Sequence, residues 1–375
     1  MDMNLDQKVD FVCETAKIGL SRFYPINVSE LPYMAYIDSD GQWHSSGLSV
    51  RYAAISQIGI AKWRQYHPDD RGNLPELWPD ISDSFKNITD IGDIALSLWA
   101  GIQSCADNRE KFAQALKENW PIQSARCNAV ELGWVVQACL MAQQSDTIKT
   151  DLKPVLDDSH RQLISLFDAG SGLFYKHHRQ GLMEIISRHI SCFADQVYPI
   201  VALSNYGLLY NHSQSIDSAA QATEKICQYQ GELGQWWWHY DVTHKRICEE
   251  YPVFSVHQDS MAPMAVMASD KASKQNHTDK IGLGLQWNFG FNELGENLVH
   301  QEKGIIWRDI ERNEPAKLSR KIRSICSIAG LSGLHHLTGK CVRGLRVNRE
   351  CRPYHLGWIL YAWADYNGNI GLKAG

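Results

Sequence analysis

Apolar residues recur along most of the chain at intervals of three and four, the spacing that gathers them on one side of an α-helix. The two-residue alternation of a half-buried strand is scarce. Helical patterning runs over 50–66, 90–105, 128–144, 159–169, 193–210, 218–230, 259–273, 317–337 and 354–367. Turns rich in Gly, Asp, Asn and Pro separate these stretches, and no low-complexity linker divides them. The pattern predicts one all-α domain spanning residues 1–375.

Two faint repeats sharpen that expectation. A glycine followed shortly by an aromatic recurs at Gly41-Gln42-Trp43, Gly172-Leu173-Phe174, Gly234-Gln235-Trp236 and Gly304-Ile305-Ile306-Trp307. An acidic residue or histidine opens an apolar helix at Asp90 and Asp93, at Glu131, Asp195 and Asp259, and at Tyr354-His355. Glu131, Asp195 and Asp259 stand 64 residues apart in turn, and "ELGWVVQA" at 131 is echoed by "HLGWILYA" at 355. A recurring unit of two helices and a turn suits an α/α toroid, a closed ring of about six helical hairpins. Its inner helices would be apolar on both faces, and their N-termini would meet at one mouth. That arrangement would collect Asp90, Asp93, Glu131, Asp195, His257, Asp259 and His355. The competing explanation is that each acid merely caps its own helix.

Composition adds limits. The 375 residues carry a net charge of −5, with 44% hydrophobic and 21% charged residues, as in an ordinary globular protein. Nothing here points to nucleic acid. No apolar stretch approaches the length of a membrane span, and "MDMNLDQKVDFVCE" lacks the apolar core of a secretory signal. Ten scattered cysteines without a CxxC pair fit reduced, buried thiols and a cytoplasmic location. No metal-ligand spacing stands out, and no cofactor is expected.

The densest polar segment is "GELGQWWWHYDVTHKRICEEYPVFSVHQDSMAPMA". Gln230-Gly231-Glu232-Leu233-Gly234-Gln235-Trp236 resembles the repeated Gln-Gly-x-Trp turn of helical-ring terpenoid cyclases and their protein prenyltransferase relatives. In those cyclases a "YP"-containing loop and then a D-x-D-D-T-A motif follow. Here Tyr251-Pro252 and His257-Gln258-Asp259-Ser260-Met261-Ala262 follow, keeping one acid of that motif. The resemblance implies a metal-independent cyclase acting on an isoprenoid or polyene, with peripheral membrane contact expected only for such a substrate. Asp259 would be the general acid, His257 its partner, and Trp236, Trp237 and Trp238 an aromatic wall. The chain also resembles carbohydrate-active ring enzymes, namely six-hairpin glycoside hydrolases, uronate hydrolases, sugar epimerases and polysaccharide lyases. A small-molecule or oligosaccharide substrate would then meet Asp195 with Asp259 or Glu131 as a carboxylate pair, or a His/Tyr set. A non-catalytic helical scaffold is the third reading.

The residues themselves nominate His257, Asp259, His239, Asp241 and Asp195 for proton transfer. Trp236, Trp237, Trp238, Tyr240, Tyr251, Glu131, Asp90, Asp93, Arg352, Tyr354 and His355 are nominated to line the substrate site. Arg343, Arg346, Arg349 and Arg352 recur every three residues, either as an anion clamp or as a solvated basic loop. Arg352 in particular could grip a carboxylate with two parallel hydrogen bonds. Arg308 and Asp309 follow Trp307 as His239 and Asp241 follow Trp236, and so are also candidates for the mouth.

Overall fold

The computed structural model describes residues 3–25, 31–75, 88–179, 187–313 and 344–368. The helix expected over 317–337, and Arg343, lie outside the described residues. Eleven α-helices are described: α1 (Leu5–Phe23), α2 (Val50–Tyr66), α3 (Ile91–Gln103), α4 (Arg109–Gln123), α5 (Ala129–Gln143), α6 (Lys153–Ser165), α7 (Ala194–Tyr210), α8 (Ser213–Gln228), α9 (Ala262–Ser273), α10 (Thr278–Asn288) and α11 (Pro353–Trp363).

Two kinds of helix are distinguished by what they bury. On α5 nearly every position from Leu132 to Leu140 is buried, so both faces are covered. On α8 the buried residues Ser215, Ser218, Ala219, Ala222, Thr223, Ile226 and Cys227 form one stripe, leaving the other face to water. Helices of the first kind close a ring in the order α2, α3, α5, α7, α9, α11 and back to α2. Around it, α1 packs on α11, α4 on α3, α6 on α5, and α8 on α7 and α9, while α10 covers the start of α9. The α/α toroid expected from the repeats is the observed architecture.

Helices α1, α4 and α10 escaped the periodicity reading. In α4 the buried set is only Phe112, Ala113, Leu116 and Trp120 among polar residues, too thin a stripe to stand out. The seam that closes the ring is lined by glycine. A Cβ on Gly59 of α2 would fall 1.9 Å from the Gly357 carbonyl oxygen of α11, and one on Gly357 would fall 2.6 Å from Ser56 Cα.

Short strands, scarce in the sequence pattern, make up the connections that lead into inner helices. Strands β1 (Met34–Ile37) and β2 (Trp43–Ser46) precede α2. The pair β3 (Phe167–Asp168) and β4 (Leu173–Phe174), then β5 (Ile190–Cys192), precede α7. Strands β6 (His239–Asp241), β7 (Arg246–Glu249) and β8 (Val253–Phe254) precede α9. Strands β9 (Val299–His300), β10 (Ile305–Ile306), β11 (Asp309–Arg312) and β12 (Leu345–Asn348) precede α11. They form five small sheets, including β5-β6-β7 and β12-β11-β8. The Gly-aromatic repeat belongs to these connections: Gly41, Gly172, Gly234 and Gly304 have φ of 78°, 73°, 97° and 61°. At Gly234 the requirement is double, since a Cβ there would also lie 2.1 Å from the Leu283 carbonyl oxygen.

Candidate active site at the mouth of the ring

Residues near the N-termini of the inner helices fall into two groups, one acidic and one built on histidines. On one side, Arg51 of α2 bonds Asp93 Oδ1 at 2.5 Å and Asp90 Oδ1 at 3.0 Å, with its guanidinium 5.3 Å from the centre of the Trp134 ring. Asp90 is also the N-cap of α3, accepting from the backbone N–H of Gly92 and Asp93. Glu131 closes a capping box on α5, accepting from Asn128 N–H at 2.9 Å. Asp195 turns back to accept from Cys192 N–H at 2.8 Å. Burial pushes the Asp93, Glu131 and Asp195 carboxyls above their ordinary range. Capping accounts for much of this acidic group, and the proposed hydrolytic pair of Asp195 with Glu131 is already committed to backbone donors.

On the other side stand histidines. A π-turn, His257–Met261, opens the fifth inner helix and continues into α9. Such wide turns recur at functional sites because they re-aim side chains. Pro263 has no N–H to give the Asp259 carbonyl four residues back, and Trp363 Nε1–H donates to that oxygen at 2.6 Å instead. The Asp259 carboxylate is completely buried, accepting from Asn288 Nδ2–H at 2.7 Å on one oxygen and pairing with His355 Nε2 at 2.7 Å on the other. The carboxylate accepts from Nε2–H of His355, so that nitrogen carries a proton and Nδ1 is the ring nitrogen not engaged by Asp259.

His257 is packed between the rings of Phe193, at 4.6 Å, and Phe254, at 5.1 Å. Its Nδ1–H points at the Trp236 carbonyl 3.4 Å away, leaving Nε2 as a base. Burial lowers its pKa to about 3; the Trp236 carbonyl opposes that, while His355 and His239 push it further down. Two imidazoles from neighbouring inner helices thus stand close enough to sense each other's charge, one neutral and one anchored by a carboxylate.

The remaining nominated residues divide. His239, on β6, is half-buried with its ring 4.1 Å from Trp238, whose other side meets Phe254. Asp241 lies in the β6–β7 hairpin, accepting from His244 N–H at 3.0 Å and pairing with His244 Nδ1 at 2.8 Å, a local turn contact. Tyr240 points into the core against Tyr229. The three tryptophans do not share a wall: Trp236 is wholly buried against Phe193, Trp237 meets Tyr251 edge-on, and Trp238 alone lies beside a histidine. Tyr251 donates to Glu293 Oε1 at 2.8 Å. Tyr354 touches Tyr52 at 4.4 Å, and Arg352 lies over Tyr33 at 3.8 Å. Arg346 pairs with Glu311 and Arg349 with Glu296 at exposed positions, the solvated-loop reading of that stretch. Arg51, Asn288, Glu293, Phe254 and Glu350 were not nominated by the sequence. Only Arg51 left a trace there, as a charged residue at the head of a helical pattern.

No protein-family model matches the sequence, and no curated protein matches it either. Solved structures do match in fold. Cellobiose 2-epimerase from Bacillus thermoamylovorans B4167 aligns with a TM-score of 0.65 at 8% identity, covering 97% of this chain and 100% of that one. Unsaturated glucuronyl hydrolase from Bacillus sp. GL1 aligns with a TM-score of 0.57 at 10% identity, covering 95% of each chain. An α-1,6-mannanase from Salegentibacter sp. HEL1_6 aligns with a TM-score of 0.55 at 12% identity, covering 95% of this chain and 98% of that one.

These findings overturn the terpenoid-cyclase expectation and favour the carbohydrate-active resemblance. The structure supplies the physical reason. Asp259, expected as the cyclase acid, has both carboxylate oxygens engaged, by His355 and Asn288, and the three tryptophans form no common wall. Among the described residues no group of three His, Cys, Asp or Glu is placed to hold a metal, and no helix is long and apolar enough to cross a membrane.

Proposed function

We propose that the chain is a carbohydrate-active enzyme that moves a proton at the carbon next to a sugar carbonyl, as in epimerisation or aldose–ketose isomerisation. Three matching folds carry an epimerisation and two hydrolyses, so fold does not choose the reaction and the site must. The observation that carries the choice is the pair His257 and His355, with Asp259 holding the second at 2.7 Å.

Removing such a proton needs a neutral base, and returning one to the other face needs a second group that carries a proton. His257 Nε2, kept neutral by burial, would take the proton from carbon. The electron pair moves to the carbonyl oxygen as an enediolate forms. His355, held through Nε2 by Asp259, would in its protonated form supply a proton to the opposite face through Nδ1. His239, close enough to His257 to sense its charge, would donate to the enediolate oxygen. Hydrolysis by paired carboxylates has less support, because Asp90, Glu131 and Asp195 accept from backbone N–H groups at helix ends.

The test is proton exchange. Reducing sugars, among them glucose, mannose and cellobiose, are incubated with the protein in D2O and followed by NMR at C2. Deuterium incorporation that disappears in both His257→Gln and His355→Gln supports the reading. Absence of exchange with every sugar, or exchange that survives both substitutions, sinks it.

A further inference from the structure

Two arginines near the histidine pair share a single close carboxylate partner. Arg308 donates through NH1 to Glu350 Oε2 at 2.9 Å, and Arg352 donates through NH2 to that same oxygen at 2.5 Å. One carboxylate therefore serves two cations. Arg352 is 5% exposed, its second terminal nitrogen reaches only the Tyr33 carbonyl at 3.4 Å, and its Nε–H has no acceptor among the described residues. A buried donor left unmet costs free energy. Asp309 does little to neutralise the pair. It is 2% exposed, burial raises its pKa to about 7 against the opposing pull of Arg308, and Oδ1 has no partner among the described residues. Its Oδ2 accepts from Asn348 at 3.3 Å and lies 3.4 Å from Arg308 Nε.

Both arginines connect to the catalytic candidates through aromatic rings. The Arg308 guanidinium lies 5.5 Å from the centre of Phe254, the ring that packs on His257. Arg352 lies over Tyr33, which stacks on Tyr52 at 5.0 Å, and Tyr52 meets Tyr354, the neighbour of His355. Arg352 is thus held flat against Tyr33, while Arg308, with 29% of its side chain exposed, meets it at the shared Glu350 carboxylate. A planar, pre-oriented guanidinium with spare N–H groups matches a carboxylate better than it matches a hydroxyl.

We propose that Arg308 and Arg352 receive the carboxylate of an acidic sugar, so that the substrate class of the His257–His355 site is a hexuronic acid rather than a neutral sugar. This rests on the reading in which those histidines transfer the proton. The substrate anion would supply the second negative charge that the arginine pair lacks, and would orient the carbonyl end of the sugar toward the imidazoles.

Binding tests it without turnover. The dissociation constants of D-glucuronate, D-glucose, D-glucose 6-phosphate and acetate are measured by calorimetry on the wild type and on His257→Gln. At least tenfold tighter binding of glucuronate than of glucose is expected. Arg308→Gln should lose that preference, weakening glucuronate at least tenfold more than it weakens glucose, and Arg352→Lys, checked for folding by circular dichroism, should weaken glucuronate in the same direction. Equal binding of glucuronate and glucose overturns the proposal, as does an Arg308→Gln effect common to both. Tighter binding of the 6-phosphate overturns the carboxylate assignment, and acetate matching glucuronate means an adventitious anion only. Arginine-dependent glucuronate binding with no proton exchange would remove the histidine reading alone. Exchange on glucose with no glucuronate preference would remove this one alone.

Discussion

Asp259 and His355 are 96 residues apart in the chain and 2.7 Å apart in the fold, carboxylate Oδ1 to imidazole Nε2. The contact joins two adjacent inner helices. It converts an acid that looked like a proton donor into one that fixes the tautomer and direction of a histidine. A carboxylate in that position orients the ring it holds, and removing such a partner from a functional histidine typically costs about 10–100-fold.

Asp259→Asn keeps the volume and can still accept one hydrogen bond, but it presents an N–H donor where His355 or Asn288 also donates. Turnover of the responsive sugar should fall by about 10–100-fold with KM nearly unchanged. Steady-state kinetics beside a thermal melt decide it. A kcat equal to wild type in a folded variant would mean that the dyad does not act on the reaction.

His257 should impose an acid limit on stability. Its folded-state pKa is lowered to about 3 from 6.5 by burial, with His355 and His239 adding to the effect and the Trp236 carbonyl opposing it. Between those values the unfolded chain binds more protons than the folded one, so stability falls as pH drops through that window. Urea midpoints at pH 7 and pH 4.5 should converge in His257→Gln relative to wild type. Equal pH slopes in the two proteins would contradict the burial argument.

Asp309 should act in the opposite sense. Its folded pKa is raised to about 7 from 3.8 by burial, with Glu311 and Glu350 adding to the effect and Arg308 opposing it. The folded chain then holds the extra proton between those values, so this group's contribution falls as pH rises from about 4 to 7. Asp309→Asn should be relatively more stable than wild type at pH 8 and indistinguishable from it near pH 4. Thermal melts across that range provide the comparison.

Gly357→Val places a branched side chain where even a Cβ would be 2.6 Å from the Ser56 Cα. Backbone offers no rotamer to move aside, so a loss of several kcal/mol, or failure to fold, is expected. Chemical denaturation measures it. Gly282, whose Cβ would meet nothing within 4 Å, is the control and should tolerate alanine.

What could be read from the sequence was whatever repeats. The 64-residue interval linking Glu131, Asp195 and Asp259 marks successive inner helices because each hairpin spends a similar length of chain. Val50–Tyr66 was delimited to the residue because its apolar density ends at a polar Ser49 and at His67. Inner helices also reveal themselves by being apolar all round. The short strands were invisible, since two to four residues are too few to establish an alternation. The partners that define chemistry were equally hidden. Asn288 closes a helix far from Asp259 in sequence, and Glu350 is one acid among four arginines, so neither follows any periodicity. The family resemblance misled for a related reason: a motif with one surviving acid says where that acid is, but its neighbours in space decide its role.

The glycine seam between Gly59 and Gly357 ties assembly to activity. His355 rides on α11, only two residues from the glycine that locks this helix against α2, whereas His257 belongs to the preceding inner helix. Separating α11 from α2 would draw one imidazole away from the other before the rest of the ring came apart. The proposed reactive pair would therefore persist only while the circle is shut, and heat or denaturant should silence the proposed activity at the seam before it melts the helices.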